Sequence, residues 1–470
     1  MIIKEIIGSE KFVGKNIRVN GWINTHRKQK EVIFISLNDG STVKCLQVVL
    51  LYSEADKTTY EEKINKLTKG VSLSISGQII KSPSKGQLVE LSSELEHVEI
   101  LGTVDVDNYP MSKKRHSLEH VRKFPHLKMR TNIGAMVARM RNTCSFATHQ
   151  FFQDQQFINV QTPLITSNDC EGAGETFTVT TTHPASQSTI KKEDLFGFKN
   201  DFFGEEAFLT VSGQLQAEAY ACSMSRVYTF GPTFRAENSN TSRHLAEFWM
   251  VEPEMCFIAI TDLMNLAEKY LKFCISKVLE KNDDDLEFIQ KFISKSHKEY
   301  LQNIVNKSFY RLSYSNAIKV LMEDYNHNKP LYDRVDEWGI DLNSEQEKYL
   351  TNKFGPCIIY DYPSEIKSFY MKENDDKRTV QAMDVLIPGI GEIIGGSMRE
   401  SNYEKLKLKM KKKGLLKTDA LKWYLDLRRF GTVEHGGFGL GFERLIMLVT
   451  GLSNIKDCIP FPRYPKHCIN

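Results

Sequence analysis

The chain has 470 residues, 41% of them hydrophobic and 26% charged, with a formal net charge of +3. That length and apolar content support two or three domains with cores of their own, and the near-neutral balance confines nucleic-acid contact to local basic patches. No apolar run reaches the roughly 20 residues a membrane span needs, and the amino terminus lacks a signal-peptide layout.

Up to about Thr103 the chain reads as short strands. IRVNGWI, EVIFISLND, STVKCLQVVL, VSLSISGQII and QLVELSSELEHVEIL are five candidates punctuated by Gly, Asp, Ser and Lys, with one helix, Ser53 to Leu67, before the fourth. Five short strands interrupted by a helix predict a small barrel of the OB type, a fold whose open face commonly binds oligonucleotides. On that face Arg27 offers a cation for phosphate, Phe34 a ring for a base to stack on, and Gln47 an amide able to read a base edge. Spacing alone favours Phe34 as a core residue of the barrel. From 104 to 130 the periodicity fades and basic residues gather, among them Lys113, Lys114, Arg115, His120, Lys128 and Arg130. This segment reads as a hinge, either a solvated linker or a contact for phosphates.

Ile133, Met136, Val137, Met140, Cys144, Ala147 and Phe151 then recur at helical spacing, and FINVQTPLIT follows as an extended segment with Pro163 at its end. NDCEGAGETF places Glu171 on a glycine-rich loop able to close over a substrate ammonium. FLTVSGQLQAEAYA puts Ser212, Gln214 and Glu218 at a strand-to-helix junction. Arg226 to Phe257 reads as a hairpin whose open end carries Arg235, Glu237, Arg243 and His244. Two arginines, a histidine and a glutamate there suit a polyphosphate, with the carboxylate free to read an exocyclic amine. A solvated surface hairpin is the plain alternative. Arg235 and Glu237 are two apart on a strand and so face one ligand.

Residues 261–354 read as helices with mixed polar faces and no catalytic signal, the acidic run Asp283 to Asp285 included. Beyond them CIIYDYPSEIKSFYM is strand-like, and VQAMDVLIPGIGEIIGGSMRE brings Asp384 and Glu392 within reach of each other across a hairpin. Paired hard oxygen ligands suit Mg²⁺ on triphosphate oxygens. Ordinary surface carboxylates would look the same in the sequence. Gly395 and Gly396 leave room beside the backbone, and Arg399 points a planar fork toward it. KLKLKMKKKG reads as a solvated helix face. The glycines of GFGLGFERLIML lack the GK[ST] of a P-loop and the βα unit of a Rossmann site, so their weight comes from position and from Arg444. Nine scattered cysteines without a CxxC pair predict reduced, mostly buried thiols of a cytoplasmic protein.

FRAE and GFGLGFER resemble motifs 2 and 3 of class II aminoacyl-tRNA synthetases. The helix leading into FINVQTPLIT is similar to motif 1, the dimer interface of that family. GWINTHRKQKEVIFIS and CLQVVL resemble the anticodon-binding barrel shared by aspartyl-, asparaginyl- and lysyl-tRNA synthetases, and together the likeness covers nearly the whole chain. It implies an α+β multidomain protein: an N-terminal OB-fold β-barrel over 1–103, a hinge over 104–130, and a class II catalytic domain over 131–470. That domain would be an antiparallel sheet flanked by helices, with a helical insertion at about 261–354. The asparaginyl branch of class IIb is the best match, which implies ATP, Mg²⁺ and L-asparagine at the site, tRNA(Asn) as partner and a homodimer. Carried over by position, Arg235 would meet the α-phosphate and the substrate carboxylate, Glu237 the adenine amine, and Phe248 the base. Arg444 would lie on the other face of the base or the γ-phosphate, Arg243 and His244 at the β/γ end, and the metal on Asp384 and Glu392. Glu171, Ser212, Gln214, Glu218 and Arg399 would join Arg235 around the amino acid, and Arg27, Phe34 and Gln47 would take the anticodon. In the family the matching Phe and Gln contact its central uridine, which reverses the spacing-based reading of Phe34.

Selectivity is expected at Glu218. In the aspartyl branch the segment looks like S-P-Q-L-F-K-Q, whose Lys pairs with the substrate carboxylate; here Ala217 stands at that position and Glu218 follows. A carboxylate facing the side chain accepts from an amide and opposes an acid, by about 4 kcal/mol at ~4 Å and an effective dielectric near ~20. Arg399 would bracket the amide from the opposite side. The rivals are an aspartyl or non-discriminating ligase of the same fold, and a non-catalytic RNA-binding or asparagine-synthesising paralogue.

Overall fold

In the N-terminal strands apolar residues take every second position, and that alternation builds a barrel. The computed structural model describes residues 1–84, 86–111, 116–167, 176–181, 201–328, 332–416 and 420–469. Its first compact unit consists of Met1–Arg141 and Asn282–Lys295, and its second of Asn142–Lys281 and Ser296–Ile469.

The barrel strands are β1 (Asn16–Lys28), β2 (Val32–Asn38), β3 (Leu46–Leu51), β4 (Ser72–Lys81), β5 (Val89–Glu94) and β6 (Val98–Gly102). Across β2 and β3, Ile33 pairs with Leu50, Ile35 with Val48 and Leu37 with Leu46, and all six are fully buried. Closure comes from β1, which bends at an irregularity between Ile23 and Thr25; its first half pairs with β4 and its second with β2. The fifth expected strand is broken by a turn at Leu95–His97 into β5 and β6, and the expected helix at Ser53–Leu67 is two short ones, Glu54–Thr59 and Glu61–Lys66. A helix at Ile3–Ile7, too short to announce itself by period, seals the core with Ile3 and Ile6.

The acidic run has a mechanical use within this unit. Asp284 accepts from Thr42 Oγ1 and pairs with Lys44, both at 2.8 Å, and Arg139 clasps Asp285 at 2.6 Å. The basic segment after the barrel is partly helical, at Leu118–Arg122 and Pro125–Lys128, and Lys128 is buried; Lys113, Lys114 and Arg115 lie outside the described residues.

In the second unit the strands are β7 (Ile158–Asn159), β8 (Ile165–Thr166), β9 (Thr178–Val179), β10 (Ala207–Leu209), β11 (Arg226–Phe234), β12 (Glu247–Cys256), β13 (Tyr310–Ser313), β14 (Cys357–Pro363), β15 (Thr379–Ile387), β16 (Gly391–Met398) and β17 (His435–Gly441). Eight form one sheet in the order β13-β14-β15-β16-β17-β12-β11-β7, antiparallel except at its two edge pairs. Helices Ile260–Lys281 and Phe442–Thr450 each bury an apolar stripe in this unit. The segment 261–354 is therefore not wholly helical: β13, four residues without a helical period, extends the sheet along β14. In the helix Asn132–Asp154 the expected stripe is buried within the chain from Met136 to Phe151. The Lys405–Lys413 run is a helix, Tyr403–Lys412, that buries Leu406 and Met410. The eight described cysteines are thiols, and no described helix is long and apolar enough to cross a membrane.

Candidate active site

Strand alternation makes the floor of the cleft. On β12, Phe248, Met250, Glu252 and Glu254 are two apart and share a face, and they line two adjoining cavities in turn. The neighbouring β17 contributes glycines. A Cβ at Gly437 would stand 2.2 Å from Glu254 Oε1, so only a glycine leaves that carboxylate its place.

The first cavity, about 170 Å³, is lined by Arg235, Glu237, Arg243, His244, Phe248, Glu392 and Arg444, all seven residues expected at the nucleotide. Arg235 lies 5.6 Å from the centroid of the Phe248 ring, and its side chain keeps 33% of its exposure. His244 is oriented through Nδ1 by the Thr241 hydroxyl at 2.6 Å, and Arg444 Nη1 donates to the Glu392 carbonyl at 2.6 Å. Arg243 Nη1 donates to Ser344 Oγ at 3.2 Å. An arginine and histidine set with one carboxylate and one aromatic wall can take a polyphosphate at one end and a base at the other.

The second cavity, about 310 Å³, shares Arg235, Met250, Glu392 and Gly439 with the first, so the two are one cleft hinged on Arg235. Ser212, Gln214, Asp384 and Arg399 line it as expected, together with Glu252, Glu254, Lys367 and Tyr370. Ser212 donates its hydroxyl to Glu252, which also accepts from the Gly213 amide at 3.0 Å and Thr229 Oγ1 at 3.2 Å.

Glu218 is not on this wall. It is fully buried, accepting from Gln214 Nε2 at 3.0 Å, the Tyr424 hydroxyl at 2.8 Å, Arg428 Nη2 at 2.7 Å and His435 Nε2 at 3.1 Å. The helix Gln214–Met224 turns that side chain toward the helix Lys422–Arg429, whose Tyr424 and Arg428 are one turn apart. The expectation that Glu218 faces the substrate is overturned; the acids of β12 that line this cavity are Glu252 and Glu254. Arg399 donates Nη2 to Glu254 Oε1 at 2.5 Å and Nε to Glu254 Oε2 at 3.2 Å, while Arg399 Nη1 donates to Ser397 Oγ at 2.8 Å. Burial pushes the Glu254 carboxyl up to about 7, with Arg399 pulling down and the Glu218 charge pushing up.

Where the two cavities meet, Asp384 and Glu392 flank Gly395: a Cβ there would stand 2.9 Å from Glu392 Oε1 and 3.5 Å from Asp384 Oδ1. Asp384 pairs with Lys367 at 2.7 Å. Glu347, from the segment expected to be silent, accepts from the Glu392 amide at 3.3 Å. Burial, then the Glu392 charge, pushes its carboxyl up to about 7. Partial burial and the Asp384 charge raise Glu392 in turn, its side chain keeping 42% of its exposure. Crowded hard oxygens whose charges oppose one another, with a gap kept open by glycine, fit a hard divalent cation.

A model of the tRNA synthetases class II (D, K and N) matches residues 117–465. The chain belongs to that family. An OB-fold nucleic acid binding domain matches residues 17–101 of the same synthetase. Among its relatives, the asparagine–tRNA ligase of Treponema denticola is 49% identical over 99% of this chain and 98% of its own length; that of Shewanella loihica is 50% identical over 97% and 96%. Of solved structures, asparaginyl-tRNA synthetase from Pyrococcus horikoshii complexed with asparaginyl-adenylate superposes with a TM-score of 0.84 at 30% identity, covering 100% of this chain and 99% of that one. A putative aspartyl-tRNA synthetase from Leishmania major, at 21% identity and a TM-score of 0.79 over 99% and 94%, shares the fold.

On the barrel of the synthetase, Phe34 is half-buried on the outer face, alternating with the fully buried Ile33 and Ile35. It is not a core residue. Arg27 is its cross-strand partner, with the guanidinium 5.1 Å from the ring centroid, and Gln47 lies opposite Ser36, two residues along the same face. Glu171 lies outside the described residues. Sequence reasoning missed Glu252, Glu254, Lys367 and Glu347. The first two were within reach, since counting by twos from Phe248 gives both. Lys367 and Glu347 carry no local signal.

Proposed function

We propose that this synthetase is an asparagine–tRNA ligase: it activates L-asparagine with ATP and transfers the asparaginyl group to the 3′ end of tRNA(Asn). The observation that carries the choice of amino acid is the Glu254–Arg399 pair on the wall of the second cavity, joined through Arg235 to the nucleotide cavity. An amide can donate its NH₂ to the glutamate and accept at its oxygen from the guanidinium. An aspartate brings its charge against Glu254, and no lysine stands at Ala217 to meet it.

In the first step a carboxylate oxygen of asparagine attacks the α-phosphorus in line, and pyrophosphate leaves. In the second a terminal ribose hydroxyl of tRNA attacks the acyl carbon, and AMP leaves. Neither step needs a protein nucleophile, so positioning and charge neutralisation carry both. Arg235 spans the two cavities where carboxylate and α-phosphate meet, Phe248 and Arg444 hold the base, Glu237 reads its amine, and Arg243 with His244 takes the β/γ end. Asp384 and Glu392 would hold Mg²⁺, which neutralises triphosphate charge when bound. Ser212 and Gln214 border the amino acid. The barrel, 1–103, takes the anticodon on Arg27, Phe34 and Gln47; 104–130 is the link, and 131–470 carries the chemistry. A homodimer in the cytoplasm is the setting the family supports.

Pyrophosphate exchange driven by asparagine, compared with exchange driven by aspartate, tests the reading. We expect exchange with asparagine and at most a trace with aspartate. Equal rates would leave the family and remove the amino acid from the proposal.

A further inference from the structure

Behind the Glu254–Arg399 pair lies a second carboxylate that the cavity does not reach. Glu218, Arg428 and His435 have no exposed side-chain surface, and Arg399 keeps 3%. Two acids, Glu218 and Glu254, thus face three cationic side chains, Arg399, Arg428 and His435, out of water. Arg399 Nε sits between the acids, 3.2 Å from Glu254 Oε2 and 3.8 Å from Glu218 Oε1. The nearest contact of each His435 nitrogen is an acceptor, the Val433 carbonyl at 2.8 Å from Nδ1 and Glu218 at 3.1 Å from Nε2, which favours the charged ring even with the Arg428 Nη2 donor 3.4 Å from Nε2. Burial opposes that charge, and the Glu218 contact outweighs it, raising the ring above its ordinary value. Burial alone would raise Glu218, yet Arg428, His435 and Arg399 together hold it well below the usual carboxylate range. Arg428 is anchored in its turn by the Glu400 carbonyl at 2.9 Å.

Resting on the reading above, we propose that Glu218 is a positioning residue for amino-acid selection: held by Arg428 and His435, it fixes the edge of Arg399 and offsets part of its charge. Two consequences follow for the cavity. The guanidinium is held against Glu254, because the Nε that bonds Glu254 also faces a second anion at 3.8 Å and Nη1 is taken by Ser397. It is also a weaker lure for an incoming aspartate, because its charge is already divided between two carboxylates. Glu218 acts on selectivity without touching substrate. Misplacement by a fraction of an ångström is enough to cost an order of magnitude at such a site.

The test is Glu218→Gln in the full-length protein, which keeps size and one acceptor and removes the charge. In pyrophosphate exchange we expect KM for asparagine to rise about tenfold with kcat and the KM for ATP held within roughly twofold, and the asparagine-over-aspartate ratio of kcat/KM to fall about tenfold or more. His435→Gln, which retains a donor without a charge, should move the same ratio the same way and serves where the first variant fails to fold. Selectivity held within roughly twofold in the folded variants, whatever happens to Tm, overturns the proposal. A wild-type protein that supports no exchange with asparagine overturns the functional reading beneath it; an active wild type with unaltered variants overturns this inference alone.

Discussion

Glu254 and Arg399 meet through two hydrogen bonds, at 2.5 and 3.2 Å, with almost no side-chain surface left to bulk water. Such a fork is rigid, and each partner is what makes the other tolerable in a low-dielectric wall. Because the pair also borders the second cavity, the proposed function makes this structural ion pair the element that tells an amide from an acid.

Replacing Glu254 by Gln leaves Arg399 with no close anion but Glu218. Unpairing a buried charge costs on the order of 3 to 5 kcal/mol, part of it recovered by the amide oxygen that remains. We expect Tm to fall and the asparagine-over-aspartate ratio of kcat/KM to drop by about a hundredfold or more, since the repulsive element has gone. Exchange assays with both amino acids and a thermal melt measure the two effects.

The raised carboxyl of Glu254 gives a pH dependence of definite sign. With a value of about 7 the group is anionic above that pH and becomes protonated below it, losing the charge that in the proposed function accepts the amide and opposes aspartate. KM for asparagine should therefore rise by about tenfold per unit as pH falls below 7, and selectivity over aspartate should shrink in parallel. In Glu254→Gln the KM profile should be flat across that window. A wild-type KM unmoved between pH 8 and 6 would remove this carboxylate from recognition.

Arg235 borders both cavities and retains a third of its exposure. Arg235→Ala removes the cation that the proposed function places between carboxylate and α-phosphate, while deleting little core. We expect exchange to drop by about a thousandfold or more, in line with losing a charge contact made at the reacting centre, with circular dichroism and Tm unchanged.

Phe34 separates the two halves of the reaction. Its ring is half-buried on the outer face of the barrel, so Phe34→Ala should leave the barrel folded and amino-acid activation untouched. Loss of a stacked base costs about 1 to 3 kcal/mol, which predicts a KM for tRNA raised by roughly tenfold to a hundredfold. Aminoacylation measured beside pyrophosphate exchange makes the distinction.

Much of this molecule was written locally. Period-two alternation determined the barrel and put Phe248, Met250, Glu252 and Glu254 on one face of β12, and the nucleotide residues from Arg235 to Phe248 all lie in one hairpin, where spacing translates directly into geometry. Tertiary structure alone decided which acid borders the second cavity. Glu218 sits on a helix, and the direction a helical side chain takes is settled by what packs against it: here Tyr424 and His435, which are 206 and 217 residues away in the chain. Glu347 reached the Glu392 amide in the same way, from a segment whose composition announced nothing. Strand alternation is a property of neighbours in sequence, whereas the partner of a buried charge is chosen by whichever distant group the fold brings within about 3 Å.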